Sequence, residues 1–309
     1  MTVEPSTFFD TEHTKMMVFL NYLQLLKPLI NHNLSTYASS DKTIQRVLNR
    51  PDFLFPFRQK APMILQALQT IYSNKDRLYT SEGFWNILSY RGVLYGSEYA
   101  TNNVRWFSSL EEWLHYFTTS TKEKEGEKEK YFVNIGAYGY NNQHRHTDCI
   151  KEYWNQSTRW TSFIQKNPTV ANVYSFLLTK TSKKNEYRRV FPNIGPLAAL
   201  LICGDLVEAG VLATPSIQEW TRIIHKVDKG GAEGLIRLNL LSQTHNEQEV
   251  FQAFNQLNSF LMDNLSEADQ AMMGYNIIML EHALCKFTRV TKRNTESIKK
   301  NKRKKRVNK

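Results

Sequence analysis

The chain is poor in cysteine and has no long apolar run, and each of these shortages excludes a class of protein. Its three cysteines lie far apart without a Cys-x-x-Cys pair, so we expect no disulfide framework and a reducing compartment. No stretch of about 18 apolar residues occurs, and no charged leader precedes an apolar run at the N-terminus. We therefore expect a soluble intracellular protein with neither a membrane partner nor a cofactor.

The chain also lacks a general charge excess. The formal net charge is +11, but positions 286–309 hold 12 of the 40 basic residues and one of the 29 acidic ones. The other 285 positions therefore hold 28 of each and are neutral on average. The basic run 299–306, with Lys292 and Arg293 upstream, is typical of a two-part nuclear import signal and also of nonspecific phosphate binding. We expect a disordered tail that binds the nuclear import machinery and directs the protein to the nucleus.

The hydrophobic fraction, 41%, is arranged mostly with helical periodicity. Apolar residues recur at steps of three and four over 14–30 and 61–72, and the C-terminal half continues the pattern. A short strand fits 131–135. Aromatic pairs such as Phe84-Trp85 lie among aliphatic neighbours, which favours core packing over base stacking.

The best internal boundary is 122–130, where charges alternate around a central glycine without any apolar residue. The sequence therefore predicts a mainly α fold in four parts: a helical N-terminal region (1–121), a charged linker (122–130), a helical core (131–288) and a disordered basic tail (289–309).

The core contains a proline- and glycine-rich turn at 190–196. We expect Pro192 to end a preceding helix, and both Asn193 and Gly195 to adopt positive φ. Pro196 suits the first turn of the next helix, whose free N–H groups and dipole would bind a DNA phosphate. This pattern is typical of a helix-hairpin-helix, although an ordinary αα-hairpin explains the same residues. We expect Asn193 and Gly195 to contact DNA, together with the upstream Lys183 and Lys184.

Two later segments follow this turn: KGGAEGLIRL at 229–238 and LEHALCKF at 280–287. With the turn and its Gly-Asp-Leu at 204–206, they resemble the α-glutamyl/putrescinyl thymine pyrophosphorylases over about 170–287. The resemblance implies a core similar to the helix-hairpin-helix DNA glycosylases. It also implies an enzyme, a DNA-modifying transferase that makes hypermodified thymine.

The implied reaction replaces pyrophosphate on a 5-(pyrophosphoryloxymethyl)uracil in duplex DNA with an amine such as glutamate or putrescine. Such a displacement needs a cationic site for the leaving group and a base for the amine proton. The matched positions would supply Asp205, Glu281 and His282 for catalysis, and Lys229, Gly230, Gly231 and Arg237 for phosphate binding. If they do, these side chains should converge on one pocket.

Two alternatives remain open. The first is a catalytically inactive DNA-binding or recruitment module of the same fold. It is favoured by Gly231, where a Gly-Pro-Gly type of loop is usual, and by Lys286, where an acid is usual. The second is a helix-hairpin-helix DNA glycosylase. The expected lysine and aspartate positions of that class hold Leu197 and Pro215, so its catalytic groups would have to lie elsewhere.

A further polar cluster, His144-Arg145-His146 with Asp148 and Cys149, does not match zinc-site spacing. We expect no metal there. A loop that contacts phosphate or substrate, or a plain surface loop, accounts better for these residues.

Overall fold

The structure, a computed structural model, describes residues 11–120, 125–139, 141–183 and 186–291. In chain order its helices and strands are α1 (Thr11–Leu26), α2 (Lys42–Asn49), α3 (Pro51–Leu54), α4 (Pro62–Gln69), α5 (Ser81–Ser89), α6 (Glu98–Asn102), α7 (Leu110–Thr119), α8 (Glu125–Phe132), α9 (Asp148–Ile164), α10 (Val170–Leu177), β1 (Lys180–Lys183), β2 (Glu186–Arg189), α11 (Pro196–Glu208), α12 (Ile217–Val227), α13 (Gly231–Arg237), α14 (Glu247–Asn264), α15 (Glu267–Met273) and α16 (277–291). The mainly α fold is therefore confirmed.

The chain forms two compact units. The central unit is 62–223, and the terminal unit combines 1–61 with 224–309. The charged segment 122–130 lies inside the central unit, so the structure divides the chain differently from the sequence-based prediction. Alternating charges are typical of an exposed surface. The boundary between the two units depends instead on long-range packing, and it falls within α12. The basic tail lies, from 292 onward, outside the described residues.

The central unit is organised around stacked aromatic rings. Phe84 and Trp160 stack with 4.4 Å between ring centroids, and Phe191 meets Phe84 edge-on at 5.4 Å. All three side chains are buried, as is Trp85. The prediction that the aromatic segments pack in the core is confirmed for these residues. Phe191 also attaches the start of the 190–196 turn to this core.

Local capping fixes several helix starts. Ser216 accepts a hydrogen bond from the N–H of Glu219 at 3.1 Å and so caps α12. The Glu219 carboxylate accepts from the N–H of Ala171 at 2.8 Å, which stabilises the first turn of α10 within the same unit.

The β-structure lies elsewhere than expected. Helix α8 ends at Phe132, and no strand forms at 131–135. The strands are β1 and β2, which pair antiparallel with Lys180 opposite Arg189. Phe132 is fully buried and packs edge-on against Trp113, with the ring centroids 5.2 Å apart, so this apolar residue anchors the end of α8 in the core.

The terminal unit joins the two ends of the described chain. Phe287 of α16 packs edge-on against Phe19 and Tyr22 of α1, at 5.5 and 5.2 Å between ring centroids. Helix α13 lies close to α16, because a Cβ on Gly234 would be 2.6 Å from the Cβ of Leu284. A glycine at 234 therefore permits this packing.

Candidate functional site

The turn at 190–196 follows a strand, which corrects the expectation that Pro192 ends a helix. Strand β2 ends at Arg189, and the N–H of Val190 donates to the carbonyl of Thr179 at 2.9 Å, closing the base of the β1–β2 ribbon. The helix upstream is α10, so the ribbon interrupts the path from α10 to α11. The segment 180–189 is almost entirely polar, so it has no apolar face that a helix could bury against the core.

The turn conformation differs from the expectation at one residue. Asn193 has φ of 61°, as predicted, but Gly195 has φ of −88° and ψ of −179°, which is extended backbone. The Asn193 carboxamide donates to the carbonyl of His144 at 2.8 Å, which ties the turn to the neighbouring loop. Pro196 occupies the first position of α11, as predicted.

The N-terminus of α11 is open. Gly195 is its N-cap residue and supplies no side-chain cap, and a Cβ on Gly195 would meet no atom within 4 Å. The first N–H groups of a helix have no intrahelical acceptor, and those of Leu197 and Ala198 belong to this class. The 13-residue helix therefore presents donors and the positive end of its dipole beside free space.

Cationic side chains lie next to this helix end. The Arg189 guanidinium donates to the carbonyl of Ile194 at 3.1 Å, one residue before Gly195. Lys180 lies directly opposite Arg189 in the ribbon and is exposed. A positive region therefore borders the N-terminus of α11. The side chain of Lys183 and the whole of Lys184, both predicted to bind DNA, lie outside the described residues.

The loop with the His144-Arg145-His146 cluster is hydrogen-bonded to the turn. Arg145 is buried and donates to the carbonyl of Asn134 at 3.1 Å and to that of Arg91 at 3.3 Å. The Cys149 thiol accepts from the Asn193 carboxamide at 3.1 Å. Within the described ranges, no group of three or more His, Cys, Asp or Glu side chains is placed to hold a metal.

Asp205, predicted to be catalytic, is buried and hydrogen-bonded to two other side chains. Its carboxylate accepts two hydrogen bonds from Arg91, each of 2.6 Å, and one from the Tyr72 hydroxyl at 2.7 Å. Arg91 and Asp205 are 1% and 2% exposed. Burial acts against the charge of Arg91, but Asp205 outweighs it and raises the pKa of the guanidinium. Arg91 therefore stays charged, and its hydrogen bonds occupy the carboxylate that the resemblance would assign to proton transfer.

Glu281 and the glycine loop, both predicted to belong to the site, are in direct contact in the terminal unit. The N–H of Gly231 donates to the Glu281 carboxylate at 3.1 Å. A Cβ on Gly230, which has φ of 62°, would lie 2.9 Å from the same carboxylate oxygen. The loop was expected to bind phosphate with its backbone. In the structure the Gly231 N–H donates to the Glu281 carboxylate. The close approach of α16 leaves little space for a side chain at 230 or 231.

Two buried bases follow Glu281 on α16. His282 lies with Nε2 3.2 Å from the carbonyl of Phe55, and burial lowers its pKa well below the usual range. Lys286 donates to the carbonyls of Asp52 and Phe53 at 3.2 and 3.1 Å, at the end of α3. Burial, reinforced by the charge of Arg289, lowers the pKa of Lys286 to about 7. Both bases are therefore bound to backbone carbonyls of the segment 52–55.

The two remaining predicted cations are exposed. Lys229 lies just before the glycine loop. Arg237 donates to the hydroxyl and the carbonyl of Thr291, at 3.2 and 3.1 Å, and so binds the last described turn of α16. Arg237 also borders an open polar groove of about 410 Å³, lined by Glu233, Ile236, Arg237, Asn239, Gln243 and Thr288.

The predicted convergence is therefore only partial. Glu281 contacts the glycine loop that follows Lys229, but His282 points to a backbone carbonyl and Arg237 to the end of α16. Asp205 belongs to the central unit and is held there by Arg91.

Sequence reasoning missed two arginines. Arg91 gave no signal, because its partner Asp205 is 114 positions away and only the fold joins them. Arg189 carried a usable signal, since it directly precedes the turn, but the turn was expected to follow a helix. Arg189 contacts the Ile194 carbonyl from its position at the end of strand β2.

No family model, curated protein or solved structure is detectably similar to this chain. Across the described residues, no helix combines the length and apolar character needed to cross a bilayer.

The Arg91–Asp205 pair predicts a large stability effect. Asp205→Asn leaves the Arg91 charge buried without a counter-charge, so we expect a loss of about 3–5 kcal/mol in the free energy of unfolding. Urea denaturation measures this loss, and Asp76→Asn, at an exposed position of the same unit, is the control. A variant as stable as the wild type would show that the pair does not support the fold.

Lys286 predicts a pH dependence. Its pKa is about 7 in the folded chain against 10.5 for the ordinary group, so the unfolded chain binds the proton more tightly. Stability should therefore rise with pH between these values, by at most about 1.4 kcal/mol per pH unit. Lys286→Met should lose this slope in urea denaturation, whereas exposed Lys226→Met should keep it. Parallel profiles for the wild type and Lys286→Met would contradict the assignment.

Proposed function

We propose that the protein binds duplex DNA, and that the turn at 190–196 and the N-terminus of α11 hold a backbone phosphate. The observation that carries the proposal is the open, uncapped end of α11 beside Arg189. Helix N-termini bind phosphate because their N–H groups and dipole favour an anion. In this proposal α10, the turn and α11 form a helix-hairpin-helix that the β1–β2 ribbon interrupts.

The DNA-binding module is favoured over the base-modifying enzyme by the state of the expected catalytic groups. A base that accepts an amine proton must reach its substrate. The carboxylates of Asp205 and Glu281 are 2% and 3% exposed and already accept hydrogen bonds from Arg91 and Gly231. A phosphate contact, by contrast, requires only donors and cations at an accessible surface.

The pyrophosphate displacement stays a second candidate, favoured by one observation. The groove beside α13 brings the Glu233 carboxylate and the Arg237 guanidinium to the same polar surface, in a segment that carries the resemblance. Such a pair has the charges to hold an amine and a phosphate. Nucleoside mass analysis of pyrophosphorylated 5-hydroxymethyluracil DNA, after incubation with glutamate or putrescine, distinguishes this enzyme from the DNA-binding module.

Nuclear localisation by the tail also stays a prediction, resting on the two-part basic pattern of 289–309 alone.

Gly195→Val tests the phosphate contact. An extended φ of −88° and the absence of neighbours within 4 Å allow valine without strain, so the melting temperature should not change. The side chain would occupy the space in front of α11 and displace the phosphate. We expect duplex affinity at fixed salt to fall by about tenfold, the value of one charge-assisted hydrogen bond.

Fluorescence anisotropy with a labelled duplex of about two helical turns measures the change. Pro196→Ala is the comparison variant, because it alters the neighbouring residue without filling the space and adds one N–H donor, so its affinity should be no lower than that of the wild type. If Gly195→Val folds normally and binds like the wild type, the phosphate contact is wrong.

A further inference from the structure

Two arginines of the terminal unit stack on one phenylalanine ring. The guanidinium carbon of Arg50 lies 4.5 Å from the centroid of the Phe53 ring, and that of Arg289 lies 4.3 Å from the same centroid. Arg50 is the C-cap residue of α2, Phe53 belongs to α3 and Arg289 to α16. Arg50 is exposed, whereas Phe53 and Arg289 are half-buried, so all three residues reach the surface.

Stacking leaves the hydrogen-bond donors of both arginines available. A guanidinium that packs its face on an aromatic ring keeps its N–H groups at the edge of its own plane. Across the ranges that the structure describes, the side chains of Arg50 and Arg289 donate no hydrogen bond and form no ion pair. Phe53 therefore holds two planar donor groups that have no protein acceptor in that part of the chain.

Two further cations lie close to this ring. The ammonium nitrogen of Lys286 is 6.0 Å from the Phe53 centroid, and Arg46 donates to the carbonyl of Val290, one residue after Arg289, at 3.0 Å. The end of α16 offsets only part of this charge, because the dipole places about half a negative charge at a helix C-terminus. Like charges at short range repel each other, so a bound anion would stabilise the cluster.

The acids that face the cluster are fewer than its cations. Asp52 is next to Phe53 in the chain, and its charge acts on Lys286, whose pKa burial lowers to about 7. Burial raises the pKa of Glu281 on α16, and the charge of the buried Arg58 opposes that effect. Even with both acids ionised, the arginines at 46, 50, 58 and 289 leave an excess of positive charge around the ring.

We propose that Arg50 and Arg289 together bind one phosphate group beside the Phe53 ring. Both guanidinium carbons lie within 4.5 Å of one point, so a single group beside the ring is within reach of both. The planar donors of a guanidinium match the oxygens of phosphate, whereas a carboxylate, with two oxygens, leaves more of them without an acceptor. Phe53 is a positioning residue, because it holds both arginines in place.

This site lies in the terminal unit and is independent of the contact proposed at Gly195. A free phosphate ion and the backbone of a nucleic acid carry the same chemical group. The site is therefore defined by its phosphate chemistry, and the two sources are separated by experiment.

The first measurement is the rise of the melting temperature with inorganic phosphate, because a ligand that binds only the folded chain stabilises it. Sodium chloride at the same ionic strength is the reference, so that general screening is subtracted. Arg50→Gln and Arg289→Gln should each weaken phosphate binding about tenfold, the value of one charge-assisted hydrogen bond. Lys42→Gln, which removes an exposed charge from α2, should bind like the wild type.

Two variants separate a positioned site from general attraction to positive charge. Phe53→Leu keeps every charge and removes the ring, so phosphate affinity should fall several-fold. Arg289→Lys keeps the charge without the planar donors, so its affinity should also fall below that of the wild type. If Arg289→Gln does not fold, Arg50→Gln still tests the site, because Arg50 is exposed.

A labelled duplex, titrated over a range of salt concentrations, identifies the source of the phosphate group. Stabilisation of the wild type by inorganic phosphate, weakened in both glutamine variants, supports a site for the free ion. Loss of duplex affinity in these variants, with the slope of log affinity against log salt lowered by about 0.9, supports a nucleic-acid backbone. The site is wrong if both variants match the wild type in both titrations, or if Phe53→Leu does. It is also wrong if Lys42→Gln loses as much affinity as they do. None of these results alters the separate test at Gly195.

Discussion

The buried ion pair between Arg91 and Asp205 is the interaction on which the proposed interface depends. Asp205 lies on α11, three helical turns after Gly195, and Arg91 lies in the π-helical turn Tyr90–Leu94 that continues α5. The pair therefore holds one end of α11 in the core of the central unit while the other end opens to solvent. A buried bidentate pair tolerates little displacement, because either charge without its partner is costly. The position of the Leu197 N–H, the proposed phosphate donor, follows from this anchor.

Three ionisable side chains of the terminal unit are buried on α16. Glu281, His282 and Lys286 lie on one helix, and each is bound to a backbone group: the N–H of Gly231, or carbonyls in the segment 52–55. Burial keeps His282 neutral and lowers the pKa of Lys286, so charge in this cluster is limited by desolvation. A motif rich in glycine, acid and imidazole can thus arise from close helix packing without a substrate.

Local sequence patterns predicted the features of the fold that depend on residues close together in the chain. Helical periodicity, the Ser216 cap, Pro196 at the start of α11 and the buried Phe84 and Trp85 all depend on neighbours in the sequence. The β1–β2 ribbon could not be predicted in this way, because its polar strands show no alternation of apolar residues. The Arg91–Asp205 pair and the joining of α1 with α16 depend on contacts between distant residues. The candidate site was predicted at the turn, but its cations at Lys180 and Arg189 required the strand pairing.

Hydrogen–deuterium exchange at the start of α11 tests the central claim most directly. In the free protein the amide of Leu197, which is half-buried, has no intrahelical acceptor and should exchange quickly. A duplex phosphate at this helix end would accept a hydrogen bond from it, so this amide should become protected when DNA is added. If this amide exchanges at the same rate with and without DNA, while protection appears at 229–237, the account is contradicted and the interface lies in the terminal unit.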